Sequence, residues 1–328
     1  MNWEGFKELL SFDSTSGKER EVAEWLLKQL EAPSKEAMEV GDGTLNLHLS
    51  WGTPRVVFCT HMDTVPPYIP PVFEADVVKG RGSCDAKGQL FAMYTACKRL
   101  EAEGLTDFGL LLLAGEETGS WGAKAFARTD FRVPFLIVGE PTENKMVSAS
   151  KGTKSYDLCF KGEAFHSGYP QYGVSAVDLF NEFYNKLKAK DFGLDPVLGE
   201  TTWNVGLLHS DNPQNILSPE LRCRLYFRTT FVSDQAVQDW MAGLEDISVT
   251  ARGGDSPARY VTLPGFESAP VSFGSDAPHL TNFGHKIICG PGSIRYAHRD
   301  DEHITVAELE HAVELYVQLY RCLQIAHP

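Results

Sequence analysis

Hydrophobic residues recur along this chain with two different periods, and the change from one to the other organises it. Trp3, Phe6, Leu9 and Leu10 fall at helical spacing, Ser14 to Gly17 interrupts the pattern, and Val22, Trp25, Leu26 and Leu30 resume it on one face. Three unbroken apolar runs follow, Arg55 to Thr60, Phe108 to Ala114 and Val133 to Gly139. Runs of that length without alternation predict strands buried on both faces. Helical stretches at Gly88 to Glu103 and Ser120 to Arg128 lie between them. Buried strands alternating with helices predict an α/β layer around a mixed, mostly parallel sheet.

The period changes near Gly152. Lys154 to Lys161, Thr202 to His209 and Leu221 to Thr229 alternate apolar and polar residues, as half-exposed strands do. Ser175 to Lys188 and Gln235 to Leu244 read as amphipathic helices between and after them. A β-α-β-β-α order predicts a small ferredoxin-like α+β domain. After Pro257 the pattern returns to a short strand at Ile287 to Cys289 and a final amphipathic helix, Val306 to Ile325. The expected division is therefore a discontinuous domain, 1–151 and 257–328, carrying an inserted domain at 152–256.

The length of 328 residues suits two domains. With 30 basic against 44 acidic residues the formal net charge is −14, and no basic block appears. That balance argues against nucleic acid or an anionic membrane surface as partner. The apolar run at Leu110 to Ala114 is far too short to span a bilayer, and the first residues lack the layout of a signal peptide. Seven scattered cysteines, odd in number and without a CxxC pair, read as reduced thiols of a cytoplasmic protein.

Candidate chemistry sits where apolar strands end, which is where open α/β sheets form their sites. His61-Met-Asp63 follows the first run, and a carboxylate beside a histidine can fix the tautomer that offers the other nitrogen to a metal. Asp85, in Gly80-Arg-Gly-Ser-Cys-Asp85-Ala-Lys-Gly88, could ligate a metal or simply cap the helix that follows. Glu116 and Glu117 are adjacent carboxylates at a strand end. They repel one another, so one could bind a cation while the other takes a proton from water. Glu140, in Gly139-Glu140-Pro141-Thr142, and His298, in Ala297-His298-Arg-Asp-Asp-Glu302, complete the set. Nitrogen and oxygen donors without sulfur suit zinc, and also cobalt or manganese.

Taken in order, these five segments resemble the co-catalytic di-zinc amidohydrolases that include acetylornithine deacetylase, succinyl-diaminopimelate desuccinylase, aminoacylase and glutamate carboxypeptidase. The resemblance runs from about Phe6 to Leu323. It implies two zinc ions per protomer, one held by His61 and Glu140, the other by Glu117 and His298, with Asp85 bridging both. It implies that Asp63 orients His61 and that Glu116 is the general base for a two-metal-activated water. It also implies a cis peptide at Asp85–Ala86. Glu rather than Asp at position 140 resembles the acylases and carboxypeptidases, and Asp85-Ala-Lys-Gly88 resembles the acetylornithine deacetylase branch.

In this family the inserted domain is a lid through which homodimers form. Ala164-Phe-His166-Ser-Gly-Tyr-Pro170 resembles its Ala-His-Ser-x-x-Pro segment, with Phe165 interposed, and implies that His166 reaches the partner subunit's site to bond the oxyanion. Asn215 resembles the Asn of an Asn-x-x-Pro segment, although Pro219 comes one residue later than the pattern has it. Arg228 matches a strand-end arginine that could bind a substrate carboxylate bidentately, or else form a structural ion pair. The expectation is a metal-dependent amidohydrolase acting on a small N-acyl amino acid, acetyl or succinyl. The alternative is a dipeptidase, aminopeptidase or carboxypeptidase acting on a short peptide with the same scaffold.

Overall fold

A computed structural model describes residues 2–41 and 43–326, so both ends of the expected domain division, 1 and 328, lie outside the described residues. In chain order the main elements begin with α1 (Trp3–Ser11), α2 (Arg20–Gln29), β1 (Ser34–Glu39), β2 (Leu45–Trp51), β3 (Val56–His61), α3 (Lys87–Ala102), β4 (Phe108–Leu113), α4 (Trp121–Phe126) and β5 (Val133–Val138). They continue with β6 (Gly152–Lys161), α5 (Ala176–Ala189), β7 (Thr202–His209), β8 (Glu220–Thr229), α6 (Asp234–Ala242), β9 (Ser248–Gly253), β10 (Phe283–Ile288) and α7 (Val306–Ala326). The chain divides into two compact units. One holds the chain up to Ser148, Tyr260–Ala269 and the chain from Ser275 on; the other holds Ala149–Arg259 and Pro270–Gly274.

The first unit is built on a six-stranded sheet in the order β1-β2-β4-β3-β5-β10. The last four of these strands run parallel, and β1 and β2 join antiparallel at one edge. Every residue of β3 and β4 is buried, as the unbroken apolar runs predict. Phe58, Leu110, Leu112, Ile137 and Ile287 of the sheet share one core with Leu90, Met93 and Leu100 of α3 and with Leu315, Tyr316 and Leu319 of α7. Each such side chain contributes roughly 1.5–3 kcal/mol through removal from water. The parallel strands all end on the same side of the sheet. Their carboxyl ends carry His61, Gly115-Glu116-Glu117 and Gly139-Glu140 into loops of that one edge.

The edge strand β1 is missing from the sequence pattern. Its residues, SKEAME, are almost all exposed, so they carry no apolar signal, and only the ladder to β2 defines them as a strand. The loop before α3 approaches that helix closely. A Cβ on Gly88 would sit 2.3 Å from the Ser83 carbonyl oxygen, so no larger residue fits there.

The second unit has a four-stranded antiparallel sheet in the order β7-β8-β6-β9. Strands β6 and β8 alternate buried and less buried residues throughout, which confirms the period of two. The buried face, with Leu158, Phe160, Leu225 and Phe227, packs on Phe183 and Leu187 of α5 and on Val237 and Met241 of α6. With β9 as a fourth strand beyond the predicted β-α-β-β-α, the order is that of a complete ferredoxin-like unit.

Candidate metal centre

Five of the predicted donors converge in the first unit. The carboxylate of Asp85 lies between two imidazoles, with Oδ1 at 3.2 Å from His61 Nε2 and Oδ2 at 3.3 Å from His298 Nε2. His298 Nε2 is also 3.0 Å from Glu117 Oε1. His61, Asp85 and Glu140 offer donor atoms within 4.8 Å of one another, and so do Asp85, Glu117 and His298. Two groups of three donors therefore share Asp85. Helix α3 begins at Lys87 after Ala86, and no side chain caps it, so Asp85 does not serve as the cap that its position allows. The Asp85–Ala86 peptide is cis. His298 has φ +64, a left-handed conformation that is rare outside glycine and clusters at functional sites.

The second layer of contacts differs in one respect from the simplest reading of His-x-Asp. The nearest acceptor to His61 Nδ1 is the main-chain oxygen of Asp63, at 3.0 Å, while the Asp63 carboxylate lies 3.4 Å away. Donation to that carbonyl fixes a proton on Nδ1 and turns Nε2 toward Asp85, so that Nε2 is the nitrogen a cation could take from its hydrogen bond. The Asp63 carboxylate is used chiefly on the acidic turn. Its Oδ1 accepts from the Glu116 N–H and its Oδ2 from the Glu117 N–H, each at 3.1 Å, and Ser16 Oγ donates to Oδ2 at 2.7 Å.

Glu302, quoted in the His298 segment without a role, organises the loop before α3. Its Oε1 accepts from the N–H groups of Gly82, Cys84 and Asp85 at 2.9, 3.0 and 3.0 Å, and its Oε2 accepts from Arg81 at 2.6 Å. Arg81 and Glu302 are both buried. Two further buried acids, Glu19 and Asp276, escape the sequence reading. Glu19 stands at a helix start, where an acid reads as a dipole partner. Asp276 follows Phe-Gly-Ser in a stretch with no strong periodicity, and nothing in its sequence context reveals its burial.

The charges are unbalanced. Burial pushes the carboxyls of Glu116 and Glu140 well above the carboxylate range, and neighbouring acids add to the effect. Burial also raises Glu117, and it lifts Asp276 to about 6. For Asp85 burial is again the largest influence, but hydrogen bonds to His298 and His61 outweigh it and hold the group below its ordinary range. The bonds to Asp85 and Glu117 raise His298 to about 10. A pocket with this many acids and two imidazoles lacks positive charge. Its donors are all nitrogen and oxygen, so the residues present fit divalent cations of the zinc, cobalt or manganese kind. Cys59 and Cys84 are buried, and burial pushes both thiols far above their ordinary range, so neither is a ready nucleophile.

Residues 57–321 match the family described as peptidase family M20/M25/M40. The chain belongs to that family. A Schizosaccharomyces pombe protein with a peptidase M20 domain is 33% identical over 334 residues, which cover 95% of this chain and 82% of the relative. An Aspergillus terreus protein named "Probable carboxypeptidase" is 31% identical, over 95% of this chain and 84% of its own. Among solved structures, a tripeptidase of Staphylococcus aureus superposes with a TM-score of 0.78 at 18% identity, over 96% of each chain, which is a likeness of fold. As a member of the M20/M25/M40 family the chain is a metal-dependent hydrolase.

The second unit holds His166, Asn215 and Arg228. His166 is exposed, and its Nδ1 accepts from the Gly168 N–H at 3.0 Å. Asn215 is exposed nearby, its carbonyl accepting from the Ser167 N–H at 2.9 Å. The Arg228 guanidinium lies 5.1 Å from the Tyr226 ring centroid, and no ion pair joins it to a carboxylate among the described residues.

One prediction concerns the support of the centre. Glu302→Ala leaves Arg81 and three N–H groups buried without their acceptor. We expect it to cost about 3–5 kcal/mol in denaturant unfolding of the metal-free protein; an unchanged midpoint would show that this carboxylate does not hold the loop.

Proposed function

We propose that this protein hydrolyses the amide bond of a small N-acyl amino acid, with two divalent ions and Glu116 as general base. The observation that carries the reading is the pair of donor groups sharing Asp85 at the ends of the parallel strands. In this reading His61 and Glu140 hold one ion, Glu117 and His298 the other, and Asp85 both. Zinc is the expected metal, with cobalt or manganese as substitutes. When bound, the ions supply Lewis acidity and the positive charge that the acids lack. Glu116 accepts the proton of the attacking water at its carboxylate and delivers it to the leaving amine nitrogen. The raised proton affinity of this buried carboxyl suits the task.

The second unit acts in this proposal as a lid and dimer domain. Arg228, free of a carboxylate partner among the described residues, would clamp the α-carboxylate of the substrate, and Asn215 would meet the substrate from the loop beside His166. His166 of one protomer would bond the oxyanion in its partner's site. Support for pairing comes from β7, an edge strand whose Leu207 and Leu208 are 71% and 54% exposed. We expect sedimentation at micromolar concentration to give a dimer; monomer alone would remove both the pairing and the in-trans role of His166.

A second reading, a carboxypeptidase acting on short peptides, is favoured by the name of the Aspergillus relative. Both readings place an amide next to a free α-carboxylate, and they differ in what lies on the other side. The test is hydrolysis of acetyl and succinyl amino acids against dipeptides and N-blocked peptides, with zinc or cobalt added and then chelated. Metal-dependent release from one acylated amino acid establishes the first reading. Cleavage of peptides alone moves the protein to the second, and turnover that survives chelation overturns both. Glu116→Gln should lower turnover by about 10²–10⁴-fold while metal content stays unchanged; near-normal turnover in that variant removes Glu116 from the role of base.

A further inference from the structure

The acidic pair rides on a turn whose backbone conformation is unfavourable on its own. Gly115, Gly119 and Ser120 have φ of +69, +118 and +57, and Ser120 is not a glycine. Inside the turn, the Gly119 and Ser120 N–H groups return to the Glu116 carbonyl oxygen at 3.0 and 3.1 Å. Two buried carboxylates from elsewhere in the chain hold it from outside. Asp63 takes the N–H groups of Glu116 and Glu117. At the entry, Glu19 Oε1 accepts from the Gly115 N–H at 3.1 Å, and Glu19 Oε2 accepts from the Gly17 N–H at 2.7 Å.

Glu19 is fully buried, and among the described residues its carboxylate is met by backbone N–H groups and no cation. A carboxylate in that setting keeps its charge only through the N–H groups that point at it. On this side the Trp121 side chain packs against Gly115, and the rest of the turn's entry faces open space. A cavity of about 610 Å³ borders Ser16, Gly17, Glu19, Gly115 and Thr118. The Glu19 hydrogen bonds therefore carry a large share of the restraint on the turn there. Glu19 supplies them across 96 residues of sequence, tying the segment before α2 to the segment that carries Glu116 and Glu117.

We infer that Glu19 is a positioning residue for Glu116 and Glu117, its two oxygens fixing the turn so that the proton acceptor and the metal-ligating carboxylate hold one geometry. The inference rests on the metal-site reading given above. It singles out one of the two donor groups. Glu117 depends on the turn, whereas His61 and Glu140 sit at the ends of β3 and β5 and do not.

The experiment is cobalt(II) titration of the metal-free full-length chain, followed by visible absorption, alongside kinetics on the preferred substrate of the panel. Glu19→Gln turns an amide NH₂ toward an N–H donor. We expect the second cobalt equivalent to bind ~10–100-fold more weakly and kcat to fall by a similar factor, with the first equivalent and KM within ~2-fold of wild type. Glu19→Asp keeps the charge but falls one methylene short, and it should show the same split. Glu21→Gln, an exposed charge change on the same helix, should change neither readout. A purely structural Glu19 would lower the unfolding midpoint and leave the cobalt split and kcat per folded molecule unchanged. A wild type that takes two ions, matched by both Glu19 variants, overturns the inference alone. A wild type that takes no second ion overturns the metal reading and the inference with it.

Discussion

Everything at the end of the parallel sheet turns on keeping negative charge out of water. Asp63, Asp85, Glu116, Glu117, Glu140 and Asp276 crowd around two imidazoles, and burial works against ionisation of every one of them. A protein interior tolerates such a cluster only with compensation by hydrogen bonds, by protons or by cations. Each neighbouring element supplies a share. Asp85 takes two imidazoles, Asp63 takes two N–H groups of the turn, and Glu302 takes three N–H groups and a guanidinium. The remaining deficit of positive charge is what fits the cluster to divalent cations.

The fold follows from the same requirement. Four parallel strands end together, and the two central ones are buried along their whole length, so polar residues can enter only where the strands end. Helices α3 and α7 share one core with the sheet, so the loops before them are held against rigid elements. That rigidity lets His298 occupy a left-handed conformation and lets Gly88 pass a carbonyl at a distance no side chain would permit.

Much of this is legible in the sequence, for a physical reason. Buried strands announce themselves as unbroken apolar runs, and the chemistry of an α/β sheet gathers at their ends, so His61, Glu116, Glu117 and Glu140 stand out by position alone. Asp85 does not, because an acid before a helix looks like a cap. Residues whose importance comes from burial are harder to find. Glu19 and Asp276 read as surface acids, since no local pattern tells a buried carboxylate from an exposed one. The edge strand β1 fails for the opposite reason: it is so exposed that it has no apolar face. The division of labour at Asp63, main-chain oxygen to the imidazole and carboxylate to the turn, depends on differences of a few tenths of an ångström that no sequence carries.

The discontinuity of the first unit has a bearing on how the chain comes off the ribosome. Residues 149–259 belong to the other unit, and they emerge before Asp276, β10, His298, Glu302 and α7. Until residue 283 is made, β5 is a hydrophobic edge without its parallel neighbour, and Asp85 lacks one of its two imidazoles. The ferredoxin-like unit has its own core and can fold in that interval, while the half-made sheet waits with an open edge of the kind that recruits other chains. The segment from Phe283 to Glu302 thus closes the sheet and brings His298 and Glu302 to the cluster.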